Sequence, residues 1–240
     1  MTYSNSPKTL PQSKRRRGRI IGGCALIVLL PILFVVYWFF IRDVEAKENK
    51  LQFATPIPQA QIYAVTQENS ELKFTILERI HGTIDISGEN LILKPTPDGK
   101  RQLEVNLQMD GQSTKTESGE FIDFVLKAGL KADEYPYGRF VATSTETFED
   151  SGTIAEQPIT LVGQLEISGV VKDYTVDATM SLQDGVLTIQ TSPTIDLKDF
   201  GVNFPEQIGS SEMAAEITVN AHLIENSTET TPSDSTNSEQ

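Results

Sequence analysis

The sequence predicts an all-β domain, an extended antiparallel β-barrel of about eight strands with one short helix, preceded by a single transmembrane helix. Three observations carry this reading. Short runs of alternating apolar and polar residues recur through most of the chain, one segment switches to helical spacing, and one long run near the N-terminus holds no charge. Successive strand side chains point to opposite faces, so alternation marks a half-buried strand, whereas three- and four-residue spacing marks a helix.

The elements follow in chain order. Residues 1–19 carry Lys8, Lys14, Arg15, Arg16, Arg17 and Arg19 and no acid, which reads as a basic cytoplasmic tail. Residues 20–41, "IIGGCALIVLLPILFVVYWFFI", are 22 uncharged, mostly apolar residues. As a helix they would span about 33 Å, enough for a hydrocarbon core of about 30 Å. The basic cluster before the run and Tyr37 and Trp38 near its far end predict a cell-membrane anchor with the N-terminus cytoplasmic and the rest extracytoplasmic. The run is long for a cleaved signal peptide, and its apolar stretch follows Cys24, the reverse of a lipoprotein signal. Residues 42–60 are charged and then punctuated by Pro56 and Pro58, and read as a short extended stalk. The folded unit is expected over residues 61–225. Residues 226–240, with no apolar side chain, read as a disordered acidic tail.

Within the folded unit, Leu72, Phe74 and Ile76 alternate with Glu71, Lys73 and Thr75. Gln102–Asp110 alternates without a fault, and Met213–Leu223 does the same. Thr160–Ser168 and Tyr174–Leu182 form two alternating runs about a short turn, a hairpin with one apolar face. Gly88–Leu93, Arg139–Thr147 and Gly185–Thr191 are further strands. Between them, Phe121, Phe124, Val125, Ala128 and Leu130 recur at helical spacing, with Glu117, Glu120 and Asp123 preceding Lys127 and Lys131, the order a helix dipole favours. A helix of about three turns is expected there, ended by Gly129 or by the approach to Pro136. A tight turn is expected at Thr194–Gly201 with Asp196 as its cap. Closing the sheet into a barrel removes its edges, and eight strands leave room inside for side chains or one small ligand.

The chemistry available argues against catalysis. The single cysteine falls in the apolar run, and of the two histidines His222 lies on the polar side of its strand while His81 sits beside Gly82. No nucleophilic triad, zinc-ligand spacing or phosphate-binding glycine loop is present in the sequence, so no enzyme, cofactor or metal is expected. Beyond the first 19 residues, 14 basic residues face all 33 acids, which excludes nucleic acid as an expected partner.

Five stretches in order resemble the YceI-like, polyisoprenoid-binding family. They are "YAVTQENSELKF" from Tyr63, "IHGTIDISGENLIL", the helix leading into "KADEYPYGRFVATS", the hairpin opening "GQLEISGVVKDYTV", and the Asp199-Phe200-Gly201 turn in "IDLKDFGV". Ser70 and Phe74 match the family pattern, whereas Thr66 and Asn69 replace its usual aspartate and histidine. The resemblance implies a lipocalin-like barrel whose apolar interior binds a long isoprenoid chain.

On that basis a ligand-binding tunnel is expected, lined by Phe74, Ile76, Val105, Leu107, Leu165, Ile167, Val176, Met180, Ile217 and Val219 from the strands. The helix residues Phe121 and Phe124 and the loop residues Phe200 and Phe204 complete it. The expected partners are an isoprenoid or other long-chain lipid and the membrane; a second copy of the chain is a further candidate. The competing function is an envelope stress-response or scaffold module with a filled barrel and no ligand.

Overall fold

The computed structural model describes residues 45–55, 57–203 and 211–226. The basic tail at residues 1–19, the anchor expected over residues 20–41, the C-terminal tail beyond Asn226 and Phe204 lie outside them; among the described residues no helix is long and apolar enough to cross a membrane.

Among the described residues, ten strands and one α-helix build the domain. The strands are β1 (Gln61–Val65), β2 (Glu71–Ile76), β3 (Ile80–Pro95), β4 (Arg101–Thr116), β5 (Tyr137–Phe148), β6 (Ile154–Ile167), β7 (Val170–Gln183), β8 (Val186–Thr191), β9 (Thr194–Asp196) and β10 (Glu212–Asn226); α1 (Glu120–Gly129) joins β4 to β5. Every pairing is antiparallel. From β2 to β8 each strand pairs with the next, and β10 closes the sheet. One edge of β10 takes β1 and then β2; the other takes β8 and then β9. The ten strands therefore make an eight-staved barrel with two interrupted staves, matching the sequence expectation of about eight. Ser70 secures the first interruption: the Asn220 N–H donates to its Oγ at 3.2 Å, and the Oγ–H donates back to the Asn220 carbonyl at 3.3 Å.

The inward rows form one apolar core. Leu91, Leu103, Val105, Leu161, Met180, Leu187 and Val219 are all buried within it. Two tight hairpins fix the registers. Ser168-Gly169 and Asp184-Gly185 join β6 to β7 and β7 to β8 with positive φ at both positions, the turn whose twist matches its strands. The sequence locates only part of β3, and a bulge explains why. Register shifts at Thr83/Asp85 and Ile86/Gly88, with positive φ at Gly88 and Glu89, change the parity of inward residues from Ile84 and Ile86 to Leu91 and Leu93. A bulge inserts an unpaired residue and breaks the alternation.

The segment expected to be a short extended stalk is bound to the barrel from Lys47 onward. The Lys47 N–H donates to the Glu134 carbonyl at 2.7 Å. The backbone N–H groups of Lys50 and Leu51 donate to Oε1 and Oε2 of Glu166 at 3.0 and 2.8 Å. The Ala54 N–H donates to Oδ1 of Asn106 at 3.2 Å, and Arg101 donates to the Gln59 carbonyl at 2.6 Å. This strap crosses the outer faces of β4, β5 and β6 from the α1 end of the barrel to the opposite end, so the folded unit begins before residue 61. Its anchor point, Glu166, is fully buried although it occupies an outward position on β6.

Candidate functional site

The inner wall encloses an apolar slot with a volume of about 110 Å³. Val105, Leu107, Leu165, Ile167, Val176, Ile217 and Val219 line it, each placed inward by strand alternation. No charged side chain is among the described residues on its wall, and the polar groups there are few: Tyr135, Ser168, Tyr174 and Thr191. Burial pushes the Tyr174 phenol above its ordinary value. Its ring meets Phe140 edge-on at 6.3 Å.

Four expected wall residues are buried elsewhere. Phe74 and Ile76 sit in the core toward the β2–β3 turn, with Phe74 instead bordering an outer, polar groove beside Lys73, His81 and Lys115. Met180 and Phe200 are likewise core residues that do not reach the slot.

Phe121 and Phe124 are corrections of a different kind. They are 74% and 40% exposed. The helix instead turns Leu126 inward, with Ile122 and Leu130 packed against the core. An α-helix of this composition offers two apolar stripes, and periodicity alone does not say which one meets the barrel.

The slot also uses residues the sequence reading passed over. Ile84 and Ile86 were hidden by the bulge in β3, and Ile195 and Leu197 by the short elements around β9, whereas Met213 shares the inward row of β10 with Ile217 and Val219. Leu130 and Tyr135 close the α1 end of the slot. This cap is latched: Ser168 Oγ donates to the Leu130 carbonyl at 2.7 Å, and the Tyr135 ring lies over Gly169. A Cβ on Gly169 would approach that ring to 2.2 Å, and φ there is +74°, so both space and backbone demand glycine. Lys50 Nζ donates to the Gly169 carbonyl at 2.5 Å, and the Lys47 ammonium lies 5.3 Å from the Tyr135 ring centroid and pairs with Glu134. The strap thus holds the same turns that form the cap.

His81 Nδ1 lies 3.0 Å from Thr75 Oγ1 on an exposed face, and His222 is exposed. Asp196 caps the 3₁₀ turn over Leu197–Phe200 by accepting the Lys198 N–H, as expected. No group of metal-ligating side chains occurs among the described residues. Arg139 is committed to the outer face: it donates to Gln108 at 3.1 Å and to the Leu51 carbonyl at 3.0 Å, and stacks 4.4 Å from the Phe53 ring centroid.

A family model described as YceI-like domain matches residues 63–224. No curated protein matches the chain. Among solved structures, a polyisoprenoid-binding domain from Saccharophagus degradans implicated in plant cell wall breakdown is similar at 13% identity, covering 68% of this chain and 98% of that one, with a TM-score of 0.47. BcnA from Burkholderia cenocepacia is similar at 19% identity, covering 65% and 98%, with a TM-score of 0.46. A YceI protein from Campylobacter jejuni is similar at 18% identity, covering 77% and 94%, with a TM-score of 0.39. None of these likenesses is close enough to transfer the role of a single residue.

Proposed function

This chain belongs to the YceI-like domain family, and from that premise we propose that it is a non-enzymatic binding protein for an isoprenoid or similar long-chain lipid. The lipid lies along the barrel axis, and the apolar run at residues 20–41 tethers the domain outside the cytoplasmic membrane. The observation that carries this reading is the slot: an apolar cavity inside a closed barrel, with no charge on its described wall. Each Å² of apolar surface moved from water to such a wall contributes about 25 cal/mol, so a chain-like lipid needs no polar anchor to bind.

The volume sets a condition. About 110 Å³ is less than the roughly 150 Å³ apolar cavity that takes up a benzene ring. A long chain therefore enters only as side chains part. Met109 and Met213 on the wall are unbranched and suited to such movement. The ligand is an uncharged or weakly charged lipid rather than a pyrophosphate, because an unpaired anion in this wall costs several kcal/mol. Arg139, the basic residue on β5, is already engaged by the strap.

Organic extraction of the purified full chain, followed by mass spectrometry, tests the proposal. A stoichiometric isoprenoid is expected, and competition should favour a polyprenol or quinone over the matching pyrophosphate. A protein that carries no lipid and takes up no added polyprenol overturns it. The small volume would then favour the second reading, a filled barrel serving as an envelope stress-response or scaffold module.

A further inference from the structure

We propose that lipid reaches the slot through the seam between β5 and β6 at the α1 end of the barrel, and that residues 47–51 of the strap are the latch on this port. The inference rests on the lipid-binding reading above and adds to it where the barrel opens and what holds it shut.

The first support is where the slot lies. On β4 it reaches Val105 but not Leu103, on β8 Ile189 but not Leu187, and on β10 Val219 but not Ala221. Leu103, Leu187 and Ala221 are fully buried core residues toward the end opposite α1. A lipid entering from that end would have to displace a packed interior, which interdigitated side chains resist. The slot therefore occupies the α1 half of the barrel, and at about 110 Å³ it admits a chain only when something at that end gives way.

The second support is that one seam there is left unpaired. The ladder of β5 and β6 joins residues 139–144 to residues 161–166, and its last pair toward α1 is Arg139 with Glu166. The neighbouring ladders run further: that of β6 and β7 reaches Ile167 with Val170, and that of β4 and β5 reaches Asp110 with Tyr137. Around β9 the same end is closed by backbone, since β9 pairs with β10 and the Leu197 N–H donates to the Ser211 carbonyl at 3.0 Å. Between β5 and β6 the closure falls to the cap instead. Leu130 and Tyr135 stand on the β5 side and the Ser168-Gly169 turn on the β6 side, joined by the Ser168 hydroxyl and by the Tyr135 ring over Gly169.

The strap crosses this seam. On the β5 side, the Lys47 backbone and ammonium group are both bound to Glu134, and Asn49 Nδ2 donates to the Tyr137 carbonyl at 2.8 Å. On the β6 side, the N–H groups of Lys50 and Leu51 donate to the Glu166 carboxylate, and Lys50 Nζ donates to the Gly169 carbonyl. Lifting these residues breaks their own bonds and no strand pairing, so the port opens without unfolding a stave. A latch outside the wall has a kinetic signature. A lipid held in the closed barrel keeps its affinity when the latch weakens, but enters and leaves faster by the same factor.

The test loads the full chain, in mild detergent, with geranylgeraniol, an uncharged isoprenoid alcohol, and chases it with the deuterated form. Mass spectrometry of the captured protein gives the exchange rate and the fraction loaded. Lys50→Met should speed exchange about tenfold, the scale of one charge-assisted hydrogen bond, with the loaded fraction unchanged. Lys50→Arg should restore the original rate, and Asn49→Ala should speed exchange to a smaller degree. Arg101→Met frees the strap only at its far end, where Arg101 holds the Gln59 carbonyl, and should leave the rate alone. Exchange unaltered by Lys50→Met and Asn49→Ala overturns the latch, as does an equal acceleration by Arg101→Met, which would mean general loosening. A loaded fraction that falls in Lys50→Met without faster exchange makes Lys50 part of the binding site, and also overturns it. A chain that takes up no geranylgeraniol refutes the lipid-binding reading and the port together. One that takes it up and exchanges it at a single rate in every variant refutes the port alone.

Discussion

The inner wall of the barrel and its strapped outer face are both dry, for opposite reasons. Inside, Leu165 and its neighbours are buried because strand alternation turns them inward, and many similar side chains share the work. Outside, Glu166, the very next residue, is just as buried, but it depends on two specific hydrogen bonds from a distant part of the chain. The wall tolerates exchange among apolar residues of like volume. The strap site does not, because each of its polar groups has a named partner and an unpaired one has no water to turn to. One face is specified by a pattern; the other is specified by contacts.

Changes on the wall should therefore have the largest effect when they break the pattern outright. Leu165→Asp places a carboxylate with no partner on the slot and is expected to cost more than about 4 kcal/mol. Chemical denaturation of the variant should show little folded protein; near-native stability would mean the wall is open to water. Glu166→Ala comes next, leaving the N–H groups of Lys50 and Leu51 without acceptors at a loss of about 2–3 kcal/mol. Limited proteolysis should then cut between residues 45 and 55 while β4–β6 stay intact. Unchanged resistance would show that the strap is held by its other contacts. Conversely, Leu165→Met should leave both readings nearly unchanged, which separates patterned burial from specific bonding.

A further variant probes the junction of the two regions. Gly169→Ala drives a methyl group into the Tyr135 ring and strains a backbone at φ +74°, at a cost of about 1–3 kcal/mol. Thermal unfolding measures that cost, and lipid uptake should change along with it, because Tyr135 caps the slot. Stability lost without any change in uptake would divorce the cap from the ligand path.

The smallest effect concerns pH. The hydroxyl of Ser211 and the Lys198 N–H hold the Asp196 carboxyl below its usual value of 3.8, and Arg101 does the same for Asp150. A carboxyl depressed in the folded state adds stability that is present above the unfolded value and lost as pH falls through the folded one. Stability should thus be level above about pH 5 and decline below 3.8. Asp196→Asn should remove part of that decline; an identical acid limb in the variant would locate the titration elsewhere.

Much of the barrel was legible in the sequence because its signal is local. Alternation in Gln102–Asp110, Thr160–Ser168, Tyr174–Leu182 and Met213–Leu223 gives both the strand and its inward face, and Asp196 announces a cap through its own side chain. Seven of the expected wall positions follow from that parity. The bulge at Gly88 and Glu89 defeats the same logic, since one unpaired residue reverses the parity of everything beyond it. Helix α1 was visible as a helix, but not by which face it packs: Phe121 and Phe124 are as apolar as Ile122 and Leu126, and only the position of β4 and the core decides between them. The strap was invisible for a related reason. Residues 47–54 have neither period nor apolar run, and what orders them is a carboxylate more than a hundred residues away. Sequence by itself determined most of the staves and their inner faces, because those depend on neighbours along the chain. Tertiary structure alone decided the volume of the slot, the outward aromatic stripe and the binding of the strap, because each depends on groups that meet only when the barrel closes.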